Sequence, residues 1–117
     1  MPLRTFLRAK IHRATVTAAD PDYVGSISVD SKLLAAAGIA PFEQVDVYNV
    51  DNGERLTTYA IEGEPGQICL NGAAARKAEP GQRVIIAAYA LLRDDEVGVH
   101  VPRIVICGPG NVMLSRQ

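Results

Sequence analysis

The residues with the most chemical potential are Gly25 and Ser26, inside the stretch "DPDYVGSISVD" at residues 20 to 30. A glycine carbonyl has no β-carbon beside it, and glycine backbone tolerates strained angles. The hydroxyl of a following serine can attack that carbonyl through a five-membered ring. The same pair is also a two-residue hairpin loop of type II′. The residues alone leave both open. Two further groups repeat at period 2, which puts each on one face of a strand. Arg8, Lys10 and His12 could together meet an anion or form a solvated face. Arg55, Thr57 and Tyr59 could do the same, or simply pair across strands. The stretch "NGAAA" at 71–75 combines small side chains with N–H groups at a helix start, where an oxyanion or a plain turn would fit. H-E-x-x-H, P-loop and G-x-G-x-x-G patterns are missing. Cys69 and Cys107 have no metal-ligand spacing and read as buried thiols, so no metal is expected.

These residues need a scaffold, and the pattern describes a mainly β one. Residues 3–17 are rich in Thr, Val, Ile and Phe and predict a long first strand, followed by a short strand at "SISVD". "DSKLLAAAGI" opens on the N-capping pair Asp30-Ser31 and closes on Gly38, which predicts one short helix. "QVDVYNV" alternates as a half-buried strand does. Asn52-Gly53 within "VDNGERLTTYAIE" is the strongest short hairpin signal. Further strands are predicted at "QICL", "QRVIIAAYALL" and "RIVIC", and a short helical turn at "NGAAARKAEPG", ended by Pro80-Gly81. Short strands with few helices suggest a small barrel.

Composition narrows the function classes. A chain of 117 residues fits a single domain, 1–117. Lys+Arg 12 against Asp+Glu 13 gives a net charge of −1, which provides no electrostatic case for a nucleic acid or membrane partner. The longest apolar run, "VIIAAYALL" at 84–92, is far short of the ~20 residues of a spanning helix. "MPLRTFLRAKIHRATV" lacks the apolar core of a signal peptide, so a cytoplasmic location is expected.

Several stretches together resemble one family. They are "KIHRATVTAADPDYVGSISVD", "LLAAAGI", "VYNVDNGERLTTYAIEGEPG", "NGAAARKAEPG" and "HVPRIV", in the family's order and covering most of residues 3 to 105. The chain resembles the bacterial aspartate 1-decarboxylases, self-processing enzymes that use a pyruvoyl group. The resemblance implies a six-stranded double-psi β-barrel with short helices, assembled as a homotetramer with active sites between subunits. It implies cleavage at Gly25-Ser26 into a β chain, 1–25, and an α chain, 26–117, whose Ser26 becomes the pyruvoyl cofactor. That ketone would condense with the amino group of L-aspartate and act as an electron sink while CO2 leaves. The product, β-alanine, would feed pantothenate and coenzyme A synthesis.

By the same resemblance Arg55 would hold a substrate carboxylate, with Lys10 adding positive charge and His12 in support. Tyr59 would return a proton to the carbanion, and Thr58 would bond the Gly25 carbonyl during self-cleavage. Asn71, Gly72, Ala73 and Ala74 would line the site, and Tyr23 belongs to the cleaved segment. Simple alternation puts Thr58 on the face opposite Arg55 and Tyr59 unless a bulge or strong twist re-aims it, and a regular strand would make one of these assignments wrong. Departures are Tyr48, where some relatives carry Trp, a short loop at "EGEPGQICL", and a tail after Val105 that matches poorly. Two other classes compete: a non-enzymatic barrel with Gly25-Ser26 as a turn, and a pyruvoyl enzyme acting on glutamate.

Overall fold

The first strand, β1 (Leu3–Thr15), is the longest and organises the rest of the fold. A computed structural model describes residues 2–117. After β1 come β2 (Ala18–Asp20), β3 (Ser26–Asp30), helix α1 (Ser31–Ala37), β4 (Gln44–Asn49), β5 (Arg55–Gly63) and β6 (Ile68–Asn71). A 3₁₀ helix (Gly72–Lys77), β7 (Arg83–Arg93), helix α2 (Asp94–Val97), β8 (Arg103–Cys107), a 3₁₀ turn (Pro109–Asn111) and β9 (Met113–Arg116) complete it. The strands form one sheet in the order β2-β6-β3-β5-β4-β7-β1-β8-β9.

That sheet curls into a barrel because β1 and β2 are one bent run. Val16 N donates to Gln82 O at 2.8 Å beside β7, and Thr17 N donates to Ile68 O of β6 at 2.7 Å. The run thus leaves β7 and joins β6, which β2 then pairs in parallel. Counting β1–β2 as one strand, a ring of six closes, and β8 and β9 extend from the outer edge of β1. This is the small barrel with short helices that the sequence predicts. Its core is the inward face of the ring, with Ile11, Ile27, Val47, Ile68, Leu70 and Ile86 at 0–1 % exposure.

Local signals explain the individual elements. Asp30 caps α1 by accepting from Lys32 N at 2.8 Å, and Gly38 ends the helix at φ 72°. The β4–β5 hairpin forms, but its turn is wider than Asn52-Gly53 alone suggests. Only Gly53 has positive φ there (76°), and Asn49 N reaches Glu54 O across the loop. A type I′ turn needs positive φ at both central residues. The predicted first strand is interrupted: register shifts against β7 put Arg8 in one bulge and His12-Arg13 in another, with Arg13 at φ 63°. Lys10 and His12 keep the predicted alternation, half-buried on either side of buried Ile11 and in unbroken register with β8, but Arg8 leaves the basic face. Arg8 is engaged elsewhere, paired with Glu43 and donating to Gly38 O at 2.9 Å.

The tail was without a predicted role, yet Asn111 pins it into the barrel. Its Oδ1 accepts from Thr15 N at 2.7 Å, and its Nδ2 donates to Thr15 O and Gly66 O, each at 2.9 Å. The carboxamide thus imitates a ladder partner where β1 bends. Asn111 is 3 % exposed and sits at φ 60°, a left-handed conformation that Asn tolerates better than Ala. Asn111→Ala is expected to cost about 2–4 kcal/mol, because it orphans buried backbone groups. A thermal melt should show a fall of roughly 8–15 °C.

Candidate active site

Gly25-Ser26 is not a hairpin loop. β2 and β3 lie on opposite edges of β6, the first parallel and the second antiparallel to it. Residues 21–25 therefore cross over the end of β6, and Ser26 is the first residue of β3. Exposure changes abruptly at this bond: Val24 is 74 % exposed and Ser26 1 %. Gly25 is exposed, and a β-carbon there would meet nothing within 4 Å. Gly25 thus lies in the open while the serine beside it is buried.

Antiparallel register builds a polar cluster around that serine. Ser26 stands opposite Asn71, and Ser28 opposite Cys69. Period 2 puts all four side chains on one face. Asn71 Nδ2 donates to Ser26 Oγ at 2.9 Å and to Ser28 Oγ at 3.0 Å, while Asn71 Oδ1 accepts from Cys69 Sγ at 3.2 Å. Ser26 Oγ also lies 3.4 Å from Val24 O, to which it can donate. Gly72 follows Asn71 at φ 65°, and a β-carbon there would fall 2.7 Å from Gly25 Cα and 3.1 Å from Tyr23 O. Glycine at 72 is what lets the exposed loop settle on the 3₁₀ helix start.

A cavity of about 250 Å³ opens on this bond, lined by Gly25, Leu56, Thr57, Thr58, Asn71, Ala73, Ala74 and Lys77. It gathers Gly25, Thr58, Asn71, Ala73 and Ala74 from the predicted set, with Gly72 packed behind Gly25. The parallel register Ile27↔Ala60, continued two steps, puts Thr58 beside Gly25. β5 pairs with β4 without a register shift from Tyr59 to Arg55. No bulge re-aims Thr58, so it faces the opposite way from Arg55 and Tyr59.

The remaining predicted residues do not line that cavity, although the same register continued one step puts Tyr59 beside Ser26. Arg55 is exposed, its guanidinium carbon 4.6 Å from the Tyr48 ring centre, in a second cavity of about 280 Å³ with Asp46. Tyr48 thus offers its aromatic face to the Arg55 guanidinium. The Tyr59 ring lies 6.3 Å from Phe42. Lys10 and His12 sit on β1, three strands along the sheet from β5. Burial, then the charges of Lys10 and Arg13, hold the His12 imidazole below its usual value, so it is neutral at pH 7. Its Nδ1 is buried with no hydrogen-bond partner among the described residues. Ser28 and Cys69 were missed as site residues. Their alternation with Ser26 and Asn71 was a visible signal, but only the strand pairing gives it meaning.

The aspartate decarboxylase family model matches residues 2–114. The aspartate 1-decarboxylase of Desulfotalea psychrophila is 54 % identical over 95 % of this chain and 95 % of its own. That of Methylibium petroleiphilum is 56 % identical over 92 % of each. Aspartate 1-decarboxylase 1 of Gloeobacter violaceus is 57 % identical over 97 % of this chain and 98 % of its own.

Proposed function

The chain belongs to the aspartate decarboxylase family, and from that premise we propose that it converts L-aspartate to β-alanine and CO2 using a pyruvoyl group made from Ser26. The observation that carries this reading is the buried Ser26 hydroxyl, bonded to Asn71 and adjoining the exposed Gly25. In self-processing, Ser26 Oγ attacks the Gly25 carbonyl carbon and the Gly25–Ser26 C–N bond breaks, leaving an ester and a free amine. Loss of the Ser26 α-proton then expels the Gly25 carboxylate, and hydrolysis of the resulting dehydroalanine releases ammonia. The products are a β chain, 1–25, and an α chain, 26–117. β1 stays held by its ladders to β7 and β8, both in the α chain.

The pyruvoyl group supplies an electrophilic ketone and an electron sink that no ordinary side chain offers. The residues around it divide the remaining work. Thr58, in the cavity with Gly25, polarises the scissile carbonyl. Asn71 presents an N–H to whatever oxygen residue 26 carries, and Gly72, Ala73 and Ala74 keep the approach open. Arg55 binds a substrate carboxylate with its planar fork, Lys10 adds charge, and Tyr59 returns the proton. His12, neutral at pH 7, assists by hydrogen bonding rather than by charge.

Arg55 does not line the cavity of its own Gly25, and Lys10 and His12 lie strands away. This separation supports active sites shared between subunits of a homotetramer, with these residues serving a neighbour's residue 26. A chain of this composition working on a small amino acid fits the cytoplasm and a role in supplying β-alanine for pantothenate synthesis. The test is the intact mass of the denatured protein. Two fragments split at Gly25-Ser26, the larger blocked to Edman degradation and reactive to a carbonyl reagent, are expected. A chain that stays single on prolonged warming, with no β-alanine formed, would refute the reading.

A further inference from the structure

Asn71 has a symmetric side chain in shape and an asymmetric one in chemistry. Turned over, its carboxamide would present oxygen where it now presents N–H, at almost no steric cost. Something must choose between the two. Both N–H bonds go to serine hydroxyls, 2.9 Å to Ser26 and 3.0 Å to Ser28, and a hydroxyl can accept or donate. The serines alone therefore do not fix the orientation. Cys69 does, because its S–H donates to Asn71 Oδ1 at 3.2 Å and the sulfur is a poor acceptor for an N–H. Burial and the Asp20 carboxylate hold the Cys69 thiol above its usual value, so it remains a donor at neutral pH.

Resting on the functional reading above, we propose that Cys69 and Ser28 are positioning residues that lock the Asn71 carboxamide with one N–H on Ser26 Oγ. Cys69 sets which way round the amide lies, and Ser28 takes the second N–H and holds its plane. The lock matters twice. Before cleavage, the Asn71 N–H occupies one lone pair of Ser26 Oγ and fixes the hydroxyl beside the Gly25 carbonyl. After cleavage, residue 26 bears a carbonyl oxygen, which only accepts, so an inverted amide would set oxygen against oxygen. All four residues are at most 8 % exposed, so water does not replace a lost partner easily.

The experiment is the rate of fragment appearance from freshly purified precursor, followed by intact mass. Cys69→Ala should slow cleavage about three- to ten-fold, the loss of one modest hydrogen bond to the reacting site. Cys69→Ser, which restores an O–H donor, should recover most of the rate. A merely structural cysteine predicts the reverse order, since alanine suits an apolar pocket better than serine. Ser28→Ala should slow cleavage similarly. In an Asn71→Ala background neither Cys69→Ala nor Ser28→Ala should slow it further, because both act through Asn71. Cys69→Ala cleaving at the parental rate, or serine proving worse than alanine at 69, would overturn the lock alone. A parent that never cleaves at Gly25-Ser26 would overturn the functional reading and the lock with it.

Discussion

Ser26→Ala is expected to remain a single 117-residue chain and to form no β-alanine above background. The substitution removes the hydroxyl that adjoins the Gly25 carbonyl in sequence and reaches it through a five-membered ring. Without cleavage there is no ketone at residue 26, and decarboxylation loses its electron sink. The loss should be total within detection, since enzymes of any kind contribute about 10⁶-fold or more. The variant should still fold. One Asn71 N–H loses its acceptor, at about 1–3 kcal/mol, while the other stays bonded to Ser28. Intact mass, circular dichroism and a β-alanine assay on one sample test all three statements. Normal turnover by Ser26→Ala would exclude a Ser26-derived pyruvoyl mechanism.

Gly72→Ala is expected to slow self-cleavage by about a hundred-fold or more, without touching a reacting atom. Two effects add. Residue 72 is at φ 65°, which costs a non-glycine residue about 1–2 kcal/mol. The new methyl would also stand 2.7 Å from Gly25 Cα and 2.9 Å from Gly25 N, both backbone atoms. Neither can rotate aside as a side-chain tip would. The loop 21–25, exposed and weakly held, is the part that yields, and it takes the scissile carbonyl away from Ser26 Oγ. Gly53→Ala provides the control. Gly53 has a similar φ of 76° with nothing within 4 Å of its added carbon. It should lose some stability and cleave at the parental rate. Equal cleavage rates for the two variants would show that contact with Gly25 does not matter.

Much of the architecture was legible in the residues because it depends on neighbours in the chain. Asp30 and Gly38 bound α1 as their capping chemistry requires, and "SISVD" is β3 residue for residue. The bulges at Arg8 and His12-Arg13 were not legible. Period 2 assumes an unbroken ladder, and the break arises from the register of β1 against β7, eighty residues away. Asn111 was invisible for the same reason: its side chain replaces a backbone partner for Thr15 across most of the chain length.

The reactive pair shows where the division falls. From the sequence alone, a carbonyl with no β-carbon beside it and a hydroxyl in five-membered reach were already determined, because Gly25 and Ser26 are bonded to each other. So was the conflict between Thr58 and its neighbours, since alternation is a property of any strand. Whether Gly25-Ser26 was a turn could be decided only by tertiary structure. β2 and β3 flank β6 instead of pairing with each other, and that depends on the bent β1–β2 run closing the barrel. Closure buries Ser26 against Asn71 and leaves Gly25 outside. It also sets Thr58 beside Gly25 through the pairing of β3 with β5, while Arg55 lines a neighbouring cavity, because register between strands, not sequence order, decides which residues meet.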